Sequence, residues 1–412
     1  MKFSFIVITL LISTINLSSQ NGWYQQFELA GFFFSSMHFL NQDTGYVSGF
    51  NGNSSIILKT TNSGNNWNAV SSINNSRFRS IYFKNQTTGW ACGAETSIYE
   101  AAIFRTTNSG INWELQVHGG FWDLQDITFS NDTTGWSIGW DNIAFKSTNS
   151  GNNWVVHSGL GSEVNDIFFL NSQYGWLAGG GESGSIVRTT NGGINWITNV
   201  HQWIGYNSVF FINSSTGWGV GYYNDPQRGV ISRTSNGGVN WSTQLISYLE
   251  EIRAVSFADS ANGWMIANTT GGQTVIFRSF TGGISWQPQT DGLPYVSELN
   301  FINSLTGWAI GSVILKTTTG GITKVASVSI EIPQHFSLHQ NYPNPFNPST
   351  RIKFEIPLNV ETTRRAISLR VYDILGREVR TLVNENLKPG VYEADFNAAD
   401  LPSGVYLYKL NA

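Results

Sequence analysis

A glycine–aromatic pair returns seven times along this chain: Gly45-Tyr46, Gly89-Trp90, Gly135-Trp136, Gly175-Trp176, Gly217-Trp218, Gly263-Trp264 and Gly307-Trp308. The intervals run from 40 to 46 residues. A second signature shadows the first, at Asn62–Trp67, Asn108–Trp113, Asn149–Trp154, Asn191–Trp196 and Asn236–Trp241, with a looser copy at Thr281–Trp286. Each repeat reads as an apolar strand, a Thr-Gly turn, a short Gly-Trp strand, a variable stretch, a third strand, a glycine hairpin and a Trp-led strand. Four strands recurring at this interval match one propeller blade, whose apolar faces are covered only by the neighbouring copies. The expected fold is all-β: a seven-bladed β-propeller over residues 20–323.

The last repeat lacks its second tryptophan, since Thr319-Gly320-Gly321-Ile322 leads to Thr323. Trp23, by contrast, has no repeat of its own. It stands 16 residues before Phe39, the spacing that separates Trp67 from Phe83 and Trp113 from Phe129. The N-terminal segment is therefore expected to supply the outer strand of the seventh blade. That closure removes an unpaired edge.

Aromatic residues make up 14% of the 412 residues and charged residues only 12%, which describes an aromatic-packed β protein rather than a disordered one. A net charge of −4 argues against a polyanion-binding surface, and nucleic acid is set aside. One cysteine, Cys92, excludes an internal disulfide and reads as a buried small side chain. The six histidines are dispersed, and neither they nor Cys92 pair at ligand spacing, so no metal or cofactor is expected. Residues 1–19 read as a signal peptide: Lys2, an apolar run from Phe3 to Leu17, then Ser18-Ser19.

Thr60, Asn62, Gly64, Asn66 and Trp67 resemble the Asp-box hairpin of bacterial neuraminidase-type (BNR) repeats, with Asn in place of Asp. Together with the Thr-Gly-Trp-x-x-Gly strand, this resembles the photosystem II stability/assembly-factor-like propellers. The resemblance covers about residues 21–322 and implies a fold rather than an activity. Sialidases and xyloglucan-processing glycosidases carry similar hairpins.

After Thr323 the rhythm stops. Residues 324–333 read as a linker. Strands are expected over Thr350–Ile356, Ser368–Tyr372, Glu378–Leu382, Gly390–Phe396 and Gly404–Leu410, forming a small Ig-like β-sandwich over 334–412. Asn341-Tyr342-Pro343-Asn344-Pro345-Phe346-Asn347-Pro348, Val371–Arg377 and Ser403–Tyr408 resemble the type A C-terminal sorting domain of the type nine secretion system (T9SS). The resemblance implies secretion machinery as a partner and release to, or display on, the outside of the cell. Family members usually continue to a further, basic-ended strand, so the sandwich is expected to lack its last strand.

Propeller connectivity places the Thr-Gly turns and Asn-Gly hairpins on one face and the variable connections on the other. Variable loops on a rigid scaffold are where binding usually sits. The candidates there are Trp122, Trp140, Trp203, Tyr206, Tyr222, Tyr223, Arg228 and Arg253, suited to stack on sugar or anchor a protein. Asp126, Asp166 and Glu298, each three residues before a first-strand Phe, are the carboxylates a glycosidase would need in pairs. They read first as structural residues at strand starts. Lys59, Arg105, Lys146, Arg188, Arg233, Arg278 and Lys316 share one slot in all seven repeats, and a generic bracing role is expected of them. No Ser-His-Asp or phosphate-loop signature appears. The reading is a secreted, monomeric, non-enzymatic module for an extracellular glycan or protein. An extracellular glycosidase and a photosystem assembly factor are the alternatives.

Overall fold

A computed structural model describes residues 22–97, 100–119, 123–141, 143–158, 160, 163–180, 184–201, 203–289, 293–321, 325–329, 333–347, 349–357, 367–385, 387, 389–398 and 401–411. The signal-peptide expectation at 1–19 lies outside these residues. The chain divides into two compact units, Asn21–Ile322 and the segment after it.

The first unit is seven four-stranded antiparallel sheets. Blade one, for example, runs Phe33–Phe39, Gly45–Phe50, Ser54–Thr60 and Asn68–Asn74 from inside outwards. In the seventh blade Val296–Phe301, Gly307–Gly311 and Val313–Thr317 are joined by Tyr24–Glu28 as the outer strand. Tyr24 stands opposite Lys316 and Glu28 opposite Val313. The ring thus closes as the Trp23 spacing predicts.

Aromatic stacking explains why the motif repeats. At every interface the Gly-Trp aromatic of one blade meets the first-strand Phe of the next, from Tyr46 on Phe83 to Trp308 on Phe39, with ring centroids 3.5 to 6.2 Å apart. The edge of that Phe, in turn, meets the hairpin Trp of its own blade at 5.7 to 6.1 Å. In the seventh blade Trp23 fills this third place, against Phe301. Such pairs add about 0.5–1.5 kcal/mol each beyond the area they bury.

The hairpins hold themselves. In the first, the Gly64 and Asn66 amides donate to Thr60 Oγ1 and Asn62 Oδ1 at 2.8 and 2.9 Å. A short hydroxyl or amide side chain thereby satisfies backbone donors the tight turn leaves over. On the same side, Asn41, Asn85, Asn131, Asn171, Asn213, Asp259 and Asn303 each accept the amides two and three residues on.

Each inner strand carries a β-bulge at one repeated position, leaving Ser35, Arg79, Gln125, Asn165, Asn207, Arg253 and Ser297 unpaired. In blade five the bulge crowds the last glycine of the Thr-Gly-Trp-x-x-Gly strand, a slot that blade six fills with Ala267. A Cβ on Gly221 would lie 1.9 Å from the Gly205 carbonyl oxygen, two residues before the bulged Asn207. Gly221→Ala is therefore expected to cost about 1–3 kcal/mol by overpacking against backbone. Urea titration of the full chain checks it, and an unchanged midpoint would contradict this account.

In the second unit, Ser337–Leu338, Ser349–Ile356, Gly390–Asn397 and Val325–Ser329 form one sheet. Glu378–Glu385, Ile367–Tyr372 and Leu407–Asn411 form the other. Ile352, Phe354, Leu369, Val371, Leu382 and Phe396 fill the core between them. The segment read as a linker is corrected here: Val325–Ser329 is a strand paired with Gly390–Asn397. Leu407–Asn411 lies at the margin of its sheet, paired with Ile367–Tyr372.

Candidate functional site

The inner strands pack in sequence around the ring. Their bulged residues and the residues next to them tie blade to blade in two tiers. In the first tier the bulged side chain donates to a carbonyl of the following blade: Ser35 to Phe78 O at 2.7 Å, Asn165 to Tyr206 O at 2.9 Å and Asn207 to Ile252 O at 3.0 Å. In the second tier the next residue accepts an amide from the following blade. Ser36 takes Ile81 N at 3.3 Å, Asp126 takes Ile167 N at 3.1 Å, Asp166 takes Val209 N at 2.7 Å and Glu298 takes Met37 N at 3.1 Å.

The three carboxylates weighed for catalysis are thus inter-blade acceptors. Asp126 also receives the Ser80 hydroxyl at 2.6 Å and its own neighbour's amide, Ile127 N, at 2.8 Å. Asp126 and Asp166 lie close enough to influence each other's ionisation. Burial raises the Asp126 pKa, and burial with the Asp126 charge pushes Asp166 up to about 8. Burial likewise holds Glu298 well above the usual carboxylate range. Low local dielectric favours the neutral acid wherever a second carboxyl is close. Among the described residues no group of three or more His, Cys, Asp or Glu is placed to hold a metal.

The repeated cations brace neighbouring hairpins in three blades. Arg105 donates to Asn152 Oδ1 at 2.6 Å, Arg278 to Gly320 O at 2.9 Å and Lys316 to Ser63 O at 2.5 Å. Lys59, Arg105, Lys146, Arg278 and Lys316 also lie over the Gly-Trp aromatic of their own blade, at 4.5 to 5.7 Å.

On the bulge side a continuous strip crosses four blades. Arg79 lies 5.8 Å over Phe50, Phe50 is 5.9 Å from Phe33, Phe33 is 5.5 Å from Tyr295, and Arg253 lies 5.2 Å over Tyr295. The side chains of Arg79 and Arg253 are each 31% exposed. Arg77 and Arg79 converge on Asp123 Oδ2 at 2.5 and 2.8 Å, which leaves one carboxylate for two cations. Arg253 pairs with Glu251 at 2.9 Å. Burial, with Glu251 and Glu163 nearby, raises the Tyr222 phenol.

Of the binding candidates, Trp122 falls outside the described residues. Trp140 and Trp203 are exposed, at 39% and 50%, and Trp203 sits at φ +67°. Tyr222, Tyr223 and Arg228 are half-buried on the long second and third strands of blade five, where Tyr223 stands opposite Arg228. Tyr206 is a correction. It is fully buried, with its hydroxyl 2.7 Å from Ser232, so it packs the blade and shows no ring to solvent. The arginines that look scattered in sequence are partly gathered, since Arg77 and Arg79 meet on Asp123. Phe33, Phe50 and Tyr295 were missed, because nothing in a strand pattern separates a rim aromatic from a core one.

Residues 340–412 match the family described as secretion system C-terminal sorting domain. The tail is a sorting domain. It marks the chain for export, to the cell surface or beyond. The propeller unit is similar to solved structures at low identity. "YCF48 bound to D1 peptide" is 17% identical, with a TM-score of 0.57 over 74% of this chain and 100% of that one. "YCF48 from Cyanidioschyzon merolae" is 16% identical, with a TM-score of 0.56 over 72% and 98%. The WD40 repeats of RRP9 are 10% identical, with a TM-score of 0.57 over 73% and 98%. These likenesses support the β-propeller fold. Comparison with curated proteins gives no significant match.

Proposed function

We propose that this chain is a non-enzymatic binding module, exported by the type nine secretion system, that takes an extended protein segment across the strip from Arg79 to Arg253. The strip itself carries the reading: three half-exposed rings flanked by guanidinium groups, one of them in surplus over its carboxylate. Rim aromatics and arginines are the side chains that most often dominate binding energy. A propeller of the same fold is known with a peptide bound, which makes a peptide the first ligand to try. Trp203, Tyr222, Tyr223 and Arg228 extend the face over blade five, and Trp140 lies on blade three. A glycosidase is disfavoured because Asp126 and Asp166 are engaged with neighbouring blades rather than aimed at a shared bond.

The test is selection from a displayed library of linear peptides with the full chain, and in parallel a glycan array. Arg79→Ala with Arg253→Ala is expected to weaken selected peptides by tenfold or more, with the melting temperature little changed. Selected peptides that bind the double variant equally well would overturn the assignment of the strip. Polysaccharide cleavage abolished by Asp126→Asn and Asp166→Asn would replace it with the enzymatic reading.

A further inference from the structure

The seven repeated cations are alike in sequence and unlike in what they touch. Arg105, Arg278 and Lys316 spend their donors on the next blade's hairpin. Arg233, in blade five, does not. Among the described residues neither Arg188 nor Arg233 has a hydrogen bond, ion pair or ring contact, while a buried, unpartnered Nε is common to Arg105, Arg188, Arg233 and Arg278. What sets Arg233 apart is that it lies beside the Gly282 turn of the blade-six hairpin and lines a cavity of about 260 Å³ between its own blade and that hairpin.

The walls are specific. Arg233 and Ser242 stand opposite each other across two strands, as do Ile231 and Gln244, so all four line one side. Ser235 adds a second hydroxyl, and Ile231 with Ile284 from the next hairpin supplies the apolar lining. Thr234 is already engaged, accepting the Gly238 amide and donating to Asn236. Among the described residues no carboxylate lines the cavity. Blade three shows the contrast. There the smaller cavity of about 170 Å³ lies beside Lys146, whose ammonium rests 4.5 Å over Trp136.

We infer that this cavity is a binding site for an acidic sugar unit, a uronate or a sulfated ring. The guanidinium forks onto a carboxylate or sulfate. Ser235, Ser242 and Gln244 both donate and accept, as adjacent sugar hydroxyls require. Ile231 and Ile284 cover the ring's apolar edge. The volume is below that of drug-sized pockets, which fits a single ring. This site is separate from the strip, and either can fail alone.

Calorimetric titration of the full chain with an oligogalacturonate, a chondroitin sulfate oligosaccharide, a neutral galactan oligomer and inorganic sulfate tests it. Binding of an acidic oligosaccharide at least tenfold tighter than of the neutral oligomer or free sulfate is expected. Arg233→Ala should abolish that preference. Gln244→Ala, at an exposed position, should weaken binding severalfold without moving the melting temperature. Equal affinity for free sulfate would reduce the site to a bare charge. No binding by either acidic oligosaccharide, or binding untouched by both variants, would overturn it.

Discussion

Replacing Trp23 by alanine is expected to destabilise the propeller by about 3–5 kcal/mol, the range for large aromatic truncations in a core. Trp23 is 2% exposed, meets Phe301 edge-on at 5.7 Å and donates from Nε1 to Gln289 at 3.3 Å. Phe301 is itself stacked on Trp264 at 3.6 Å, so the loss propagates into the sixth interface. At about 2 °C per kcal/mol for a unit of this size, the melting temperature should fall by about 6–10 °C. Trp67→Ala removes the equivalent indole from the first blade and serves as the comparison. Deleting residues 22–28 goes further, because it strips the partner from Val313–Thr317 and leaves that strand as a bare edge. Concentration-dependent association is the expected consequence. If Trp23→Ala moved the midpoint no more than a surface substitution, the ring would not be closed by this segment.

The closure was readable because one spacing survives in a chain of repeats. Trp23 to Phe39 repeats Trp67 to Phe83, and a single covalent distance fixed which end completes which sheet. The hairpin glycines and the Trp–Phe trios follow from the same regularity. The bulge was not readable. It inserts one residue, Arg79 or Asn207, and slips the buried alternation by one, from Phe78 to Ile81 and from Tyr206 to Val209, and a single slipped phase in a short run does not tell a bulge from a turn until the adjoining strand is in place. The strip escaped for a related reason. Phe33, Phe50 and Tyr295 sit at strand ends, where a ring is equally at home inside or outside. Tyr206 was misplaced by the converse effect: a variable loop enters blade five, but the bulged strand carries its phenol inwards, onto Ser232. Val325–Ser329 has too few alternating residues to distinguish a strand from a connector without its partner, Gly390–Asn397.

The carboxyl pair leads to the second large effect, in the opposite direction. Asp166 titrates near 3.8 when free and at about 8 in the folded chain, because burial and the adjacent Asp126 both resist its ionisation. Between those values the folded state holds a proton that the unfolded state has released. Stability therefore falls as pH rises from about 4 to about 8, and levels off above. Each pH unit is worth at most about 1.4 kcal/mol. Both side chains stay partly accessible, so residual water reduces the full effect to about 2–3 kcal/mol. Asp166→Asn removes the charge while its Oδ1 can still accept the Val209 amide and its Nδ2 can donate to Asp126. At pH 8.5 the variant is expected to melt about 4–6 °C above the wild type. At pH 4 the two should coincide, since the wild-type carboxyl is then protonated in the folded state. Thermal melts across that range decide it. Parallel curves for the two proteins would mean that the pair ionises freely in the fold, and that burial and the neighbouring Asp126 do not hold the proton on Asp166.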